Sequence, residues 1–135
     1  MSVFYWPARV YWEDTDGGGV VYYANYLRFL ERSRTEWLRA HGFTQSELAR
    51  DPGVLFSVVE VKIRYRRTAR LDDLVLVSCE PSPDGAATMT FTQRMLRGSE
   101  TGELLAEAQV RVACVSASTF KATRLPEAIL REISP

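Results

Sequence analysis

Between Glu13 and Tyr26 the chain reads EDTDGGGVVYYANY, which sets acidic residues, three consecutive glycines and the start of a helical pattern in direct succession. A helix N-terminus presents unpaired N–H groups and roughly half a positive charge. Glycines let a ligand atom touch backbone. Together these make a site for a developing oxyanion, with a carboxylate beside it. The residues alone also allow a plainer arrangement, a flexible loop whose Asp16 caps the helix. Asp14 is the weaker candidate for chemistry, because it lies farther from the helix start.

The rest of the composition removes competing chemistries. His41 is the single histidine, so a two-histidine metal site cannot be built. A Ser-His-Asp or Cys-His enzyme would have to use that residue. His41 instead precedes Gly42 at the end of a helical pattern, where a left-handed glycine cap is expected. The only cysteines, Cys79 and Cys114, are too few for a disulfide framework and wrongly spaced for zinc. Lys plus Arg and Asp plus Glu are 17 each, giving no net charge. A neutral chain without a basic tract offers no electrostatic case for nucleic acid. No apolar run reaches the ~20 residues of a membrane span, and the N-terminus lacks a secretory pattern. The expected location is cytoplasmic.

The elements that must position Asp16 follow from periodicity. The chain of 135 residues is expected to be one domain, 1–135. Residues 3–12 predict a strand with Phe4, Trp6, Ala8, Val10 and Trp12 on one face, placed at an edge by Pro7. A separate short turn over 20–24 leads to a helix from Asn25, its N-cap, of about 17 residues or ~25 Å. Its apolar stripe is Tyr26, Leu30, Ser33, Trp37 and Ala40, flanked by Leu27, Phe29 and Leu38. A brief helix over 44–50 would carry a capping box of Thr44 and Glu47. Alternation then predicts strands. Val59, Val61, Ile63 and Tyr65 share one face, followed by a short strand at 74–80. Met89, Phe91 and Met95 oppose Thr88, Thr90, Thr92 and Arg94; Ala106, Ala108, Val110, Val112 and Cys114 oppose Glu107, Gln109 and Arg111. Residues 126–133 predict a terminal helix. The class is α+β, an antiparallel sheet curled around one long helix. Its exposed edges favour homo-oligomerisation.

The ordered string RV-x4-TD-x2-GVV-x3-NY over 9–26 resembles the active-site motif of the 4-hydroxybenzoyl-CoA thioesterase family of hotdog-fold proteins. The longer run from Arg9 to Phe43 is similar to the branch of that family associated with the bacterial Tol–Pal system. The turn Ala69-Arg70-Leu71-Asp72-Asp73 and the segment Phe91-Thr92-Gln93-Arg94 extend the match over nearly the whole chain.

The resemblance implies a five-stranded antiparallel sheet of order 1-3-4-5-2 wrapped around the helix. It implies an acyl-CoA thioester hydrolase that uses no metal or organic cofactor, with CoA entering only as part of the substrate. Asp16 falls on the catalytic aspartate, either nucleophile or general base. Tyr23 falls on the position whose backbone N–H polarises the thioester carbonyl, with Gly18 and Gly19 in the loop. Val20, Val21, Tyr22 and Tyr26 would meet the acyl group, though Tyr22 and Tyr26 suit packing equally well. The family forms dimers, often paired into homotetramers, with substrate at the subunit interface; an acyl carrier protein is the alternative thioester donor. Two departures stand out. The Tol–Pal branch has histidine where this chain has Tyr23, and a tyrosine donates a hydrogen bond but is no general base near neutral pH. The turn Asp84-Gly85-Ala86-Ala87 lacks the basic residue some relatives use for CoA phosphates. Arg64, Arg66, Arg67 or Arg70 would take that role, against the simpler reading of a solvated strand face. A hydratase would need a catalytic histidine, which His41 does not supply. A non-catalytic acyl-CoA or acyl-carrier binding module is the alternative from another class. With the implied strand order, Cys79 and Cys114 stand two strands apart, and both are expected to be free thiols.

Overall fold

The computed structural model describes residues 3–134. Five antiparallel strands form one sheet in the order β1-β3-β4-β5-β2: β1 Phe4–Arg9, β2 Val54–Tyr65, β3 Leu74–Pro83, β4 Thr88–Arg97 and β5 Leu104–Ser116. The helices are α1 Tyr26–Ala40, α2 Gln45–Arg50 and α3 Glu127–Ile133. The order implied by the sequence is thus the order observed. β1 is an edge strand, which is where Pro7 can sit without breaking a ladder.

The first strand is shorter than its alternation suggested. Asp14 Oδ2 accepts the Tyr11 N–H at 2.8 Å and the Asp14 N–H bonds the Tyr11 carbonyl at 3.0 Å. That fold-back makes a 3-10 turn of Trp12–Asp14. Trp12 therefore leaves the apolar face and is 66% exposed. Val10 stays fully buried beyond the strand, its N–H bonded to the Asp73 carbonyl.

The long helix buries Tyr26, Phe29, Leu30, Ser33, Trp37 and Leu38. Ala40 and Leu27 are exposed, so the buried stripe is narrower at its edges than periodicity implied. Asn25 is not a side-chain cap, because its amide is drawn to Asp14 instead. The C-terminus closes as expected. Gly42 has φ +89° and the Phe43 N–H reaches the Leu38 carbonyl at 2.9 Å, while His41 Nδ1 lies 2.8 Å from the Trp37 carbonyl. At α2, Thr44 Oγ1 accepts the Glu47 N–H.

α1 packs on β1 and β3, and its Trp37 ring meets Phe91 of β4 edge-on at 6.2 Å. It does not sit under the whole sheet. The register pairs Val58, Val61, Ile63 and Tyr65 with Val112, Val110, Ala108 and Ala106, all buried inward residues. Yet Val58 is 47% and Val61 39% exposed, so the inward face of β2 is left open. Val59 is a bulge residue and falls out of the expected alternation.

One polar cluster lies inside the core. Gln93, fully buried, donates to the carbonyls of Leu30 and Ser78 and accepts from Arg34 Nη1 at 3.1 Å. Ser33 Oγ donates to the Val77 carbonyl at 2.8 Å, and Ser78 Oγ accepts the Arg94 N–H. The β3–β4 ladder skips Ser78 and Cys79, and these side chains supply the missing bonds. Cys79 and Cys114 are buried free thiols on strands separated by β4.

Candidate active site

The acidic loop is closed on itself and strapped to a second loop. The Asp16 N–H bonds the Val20 carbonyl at 3.0 Å, with Gly17 and Gly19 at φ +91° and +81° inside the turn. Left-handed backbone at those two positions requires glycine. The strap comes from residues 69–71: the Val21 N–H bonds Ala69 and the Leu71 N–H bonds Gly19. Gly19 is thus held by its carbonyl and does not line the cleft.

Asp16 does not cap the helix. Its Oδ1 accepts the Gly18 N–H at 2.8 Å, which holds the carboxylate over its own loop. A Cβ on Gly18 would stand 3.1 Å from that oxygen. Asp14 has the opposite character. It is buried, one oxygen accepting from Asn25 Nδ2 at 2.9 Å and the other from the Tyr11 N–H. Its carbonyl also takes the Tyr22 N–H. Asp14 ties the acidic loop to the helix start, with both carboxylate oxygens engaged.

That helix start is a 3-10 turn, Tyr23–Asn25, running directly into α1. The short turn expected over 20–24 is displaced toward the helix. Among the described residues, no backbone carbonyl takes the Tyr23 N–H, so the run from Tyr23 to Ala40 ends in a free amide carrying the positive end of its dipole.

An open cleft of about 420 Å³ brings these parts together, lined by Asp16, Val20, Val21, Tyr22, Tyr23, Tyr26, Tyr65, Arg66, Arg67 and Thr68. Four tyrosines form its wall. Tyr22 and Tyr23 rings lie 5.0 Å apart, and Tyr65 stands edge-on to Tyr26 at 5.0 Å and to Tyr23 at 6.2 Å. Tyr26 is core and wall at once, its hydroxyl accepting the Ala69 N–H at 2.9 Å.

The arginines divide. Arg66 and Arg67 reach the cleft, but Arg66 pairs with Glu107 at 2.7 Å and Arg67 with Glu103 at 3.6 Å. Arg64 lines a different hollow, with Val61, Thr92, Arg94 and Gln109. Tyr65 and Thr68 are cleft residues that the sequence reading did not assign. Tyr65 was visible only as the last inward position of its strand. Among the described residues, no group of three or more His, Cys, Asp or Glu side chains is placed to hold a metal ion.

Known proteins resemble this chain in sequence and in fold. Residues 10–133 match the thioesterase-like superfamily. The acyl-CoA thioester hydrolase YbgC of Escherichia coli O6:H1 is 44% identical over 131 residues, 97% of this chain and 96% of that protein. The acyl-CoA thioesterase YbgC of Haemophilus influenzae is 44% identical over 93% of this chain and 90% of its own. A probable thioesterase from Bartonella henselae superposes with TM-score 0.85 at 36% identity, over 93% of this chain and all (100%) of that one. The 1,4-dihydroxy-2-naphthoyl-CoA thioesterase from Synechocystis has TM-score 0.89 at 24% identity, over 98% of this chain and 96% of its own, a likeness of fold. The chain belongs to the thioesterase-like superfamily, with the hotdog architecture. By that membership it is a thioester hydrolase.

Proposed function

We propose that the chain hydrolyses an acyl-CoA thioester to the free acid and CoA, with Asp16 acting on the thioester and the Tyr23 N–H receiving its carbonyl oxygen. One observation carries the reading: a carboxylate oriented by the Gly18 amide shares a cleft with an unpaired amide at a helix start. As nucleophile, an Asp16 oxygen bonds the carbonyl carbon, the C–S bond breaks and CoA leaves as thiolate. Water then opens the mixed anhydride and frees Asp16. As general base, Asp16 takes a proton from the water that attacks. In both routes charge builds on the carbonyl oxygen, and one fixed N–H donor there is worth about 10²–10³ in rate. A thiolate leaves readily, so no histidine acid is required.

The apolar tyrosine wall suits an acyl group, and Arg66, Arg67 and the nearby Arg70 suit the CoA phosphates. The inventory of groups at the cleft supplies this chemistry without a cofactor. In the single chain Asp16 is exposed, whereas a carboxylate attacks well only when water is excluded. The open inward face of β2 supports a second copy as the missing cover. A dimer, or a pair of dimers forming a tetramer, would shield Val58, Val61 and Tyr65 together with the free strand edge. No described helix is long and apolar enough to cross a membrane, and a cytoplasmic site of action fits an acyl-CoA substrate.

The exposure of Asp16 also favours a second reading, a module that binds acyl-CoA or an acylated carrier protein without cleaving it. Thiol release from a panel of short, branched, aromatic and long acyl-CoAs, and from acyl carrier protein thioesters, separates the two. Turnover on any of them supports the hydrolase and reports its donor. Binding of the same panel with no thiol released supports the module.

A further inference from the structure

We infer that Tyr65 is a positioning residue for the thioester site, its hydroxyl holding the turn that carries the Tyr23 amide; this rests on the hydrolase reading above. Tyr65 is the last residue of β2, and its side chain points inward, in register with buried Ala106. Its hydroxyl donates to the Tyr23 carbonyl at 2.9 Å. That carbonyl already accepts the Tyr26 N–H inside the helical run. Tyr65 thus fills the second lone pair of a carbonyl that the helix itself satisfies only once. This bond is made from a strand to a helix start 42 residues earlier in the chain, so it fixes the turn against the sheet and not merely within itself.

The need for such a tie is visible in the turn. Tyr22 enters it with extended backbone, and Tyr22, Tyr23 and Leu27 are all exposed. Tyr22 and Tyr23 themselves bury little apolar surface. Beside the buried Tyr26 that follows, three polar ties hold the turn: the Tyr22 N–H to Asp14, the Asn25 amide to Asp14 and the Tyr65 hydroxyl to the Tyr23 carbonyl. The first two anchor it to the acidic loop, so they move with Asp16. Of these three, only the third comes from a strand of the sheet. An amide aimed at a developing charge must not shift by even ~1 Å, a displacement that costs on the order of 10²-fold in rate. The Tyr65 ring, edge-on to Tyr23 and Tyr26, is held in place by the same cluster.

The test is Tyr65→Phe, which keeps the ring and removes the hydroxyl, measured beside wild type and Asp16→Asn. Steady-state thiol release is read together with amide hydrogen exchange across residues 22–27. The inference predicts kcat lower by about 10- to 100-fold, KM within about threefold, and exchange in the turn several-fold faster while β4 is unchanged. A kcat within twofold of wild type overturns it. So does a lower kcat with unchanged exchange, since Tyr65 would then act on substrate directly. A raised KM at constant kcat also overturns it, leaving only a wall residue. If wild type releases no thiol from any acyl-CoA, the hydrolase reading itself has failed and the inference falls with it; a fault confined to Tyr65→Phe, in a protein that turns over, leaves that reading intact.

Discussion

At the scale of single residues, the carboxylate is governed by the amide beside it. Gly18 leaves its Cα bare because a methyl there would press on Asp16 Oδ1 from 3.1 Å, closer than ordinary contact. Gly18→Ala is expected to lower kcat by about tenfold, roughly 1.4 kcal/mol of barrier, with little change in melting temperature; a variant with wild-type kcat would show the carboxylate free to reorient. The Tyr23 side chain has a different status from its amide. Its hydroxyl makes no hydrogen bond among the described residues, so Tyr23→Phe is expected to keep kcat within about threefold. A loss of 100-fold would return the catalytic role to the phenol. Burial, then the neighbouring Tyr26 and Tyr23, push the Tyr65 hydroxyl up from its usual value of 10.0. A raised value keeps the donor proton in place as pH rises, so any loss of kcat from its ionisation falls above pH 10, and a limb from that group at pH 9 would contradict the assignment. Much of this was legible beforehand. Asp16, Gly18 and Tyr23 lie in one contiguous motif. Tyr65 was not, because a strand residue some forty positions away carries no local sign that it will bond a helix start.

Elements were predicted best where one face is fully covered. β4 and β5 alternate as their apolar residues require, and the α1 C-terminus follows from His41 and Gly42. The failures have physical causes. Trp12 was assigned to a strand by its apolar character, but Asp14 folded the backbone away first. Val59 kept the period on paper, while a bulge shifted it in the ladder. Gln93 gave no apolar signal, yet it sits on the buried face because it bonds Leu30, Ser78 and Arg34 at once. Replacing it with leucine would leave those carbonyls and the half-buried Arg34 without their partner. Gln93→Leu is expected to cost about 2–3 kcal/mol in denaturant unfolding, and a cost under 0.5 kcal/mol would mean that water substitutes freely. The buried thiols belong to the same packing. Burial pushes both Cys79 and Cys114 up, so little reactive thiolate forms. Native protein at pH 8 should resist alkylation at both, and fast labelling without denaturant would contradict their burial.

The whole molecule reads as a half-built enclosure. One helix covers β1, β3 and part of β4, and the inward face of β2 is left open with Tyr65 43% exposed at its end. The expected five-stranded antiparallel sheet around one long helix is the fold observed, and that helix leaves the inward face of β2 uncovered. A charge at Val61, on the proposed seam, is expected to shift the protein toward monomer in light scattering and to reduce turnover with it. A Val61→Glu protein that keeps its native mass and activity would place the second copy elsewhere. The central claim is narrower than assembly and rests on Asp16. It is tested most directly by pairing kcat of Asp16→Asn with its affinity for a thioether analogue of an acyl-CoA that wild type hydrolyses. The account predicts kcat lower by at least about 10³-fold with Kd within about threefold of wild type. Turnover within tenfold of wild type, at equal affinity, would remove Asp16 from the chemistry.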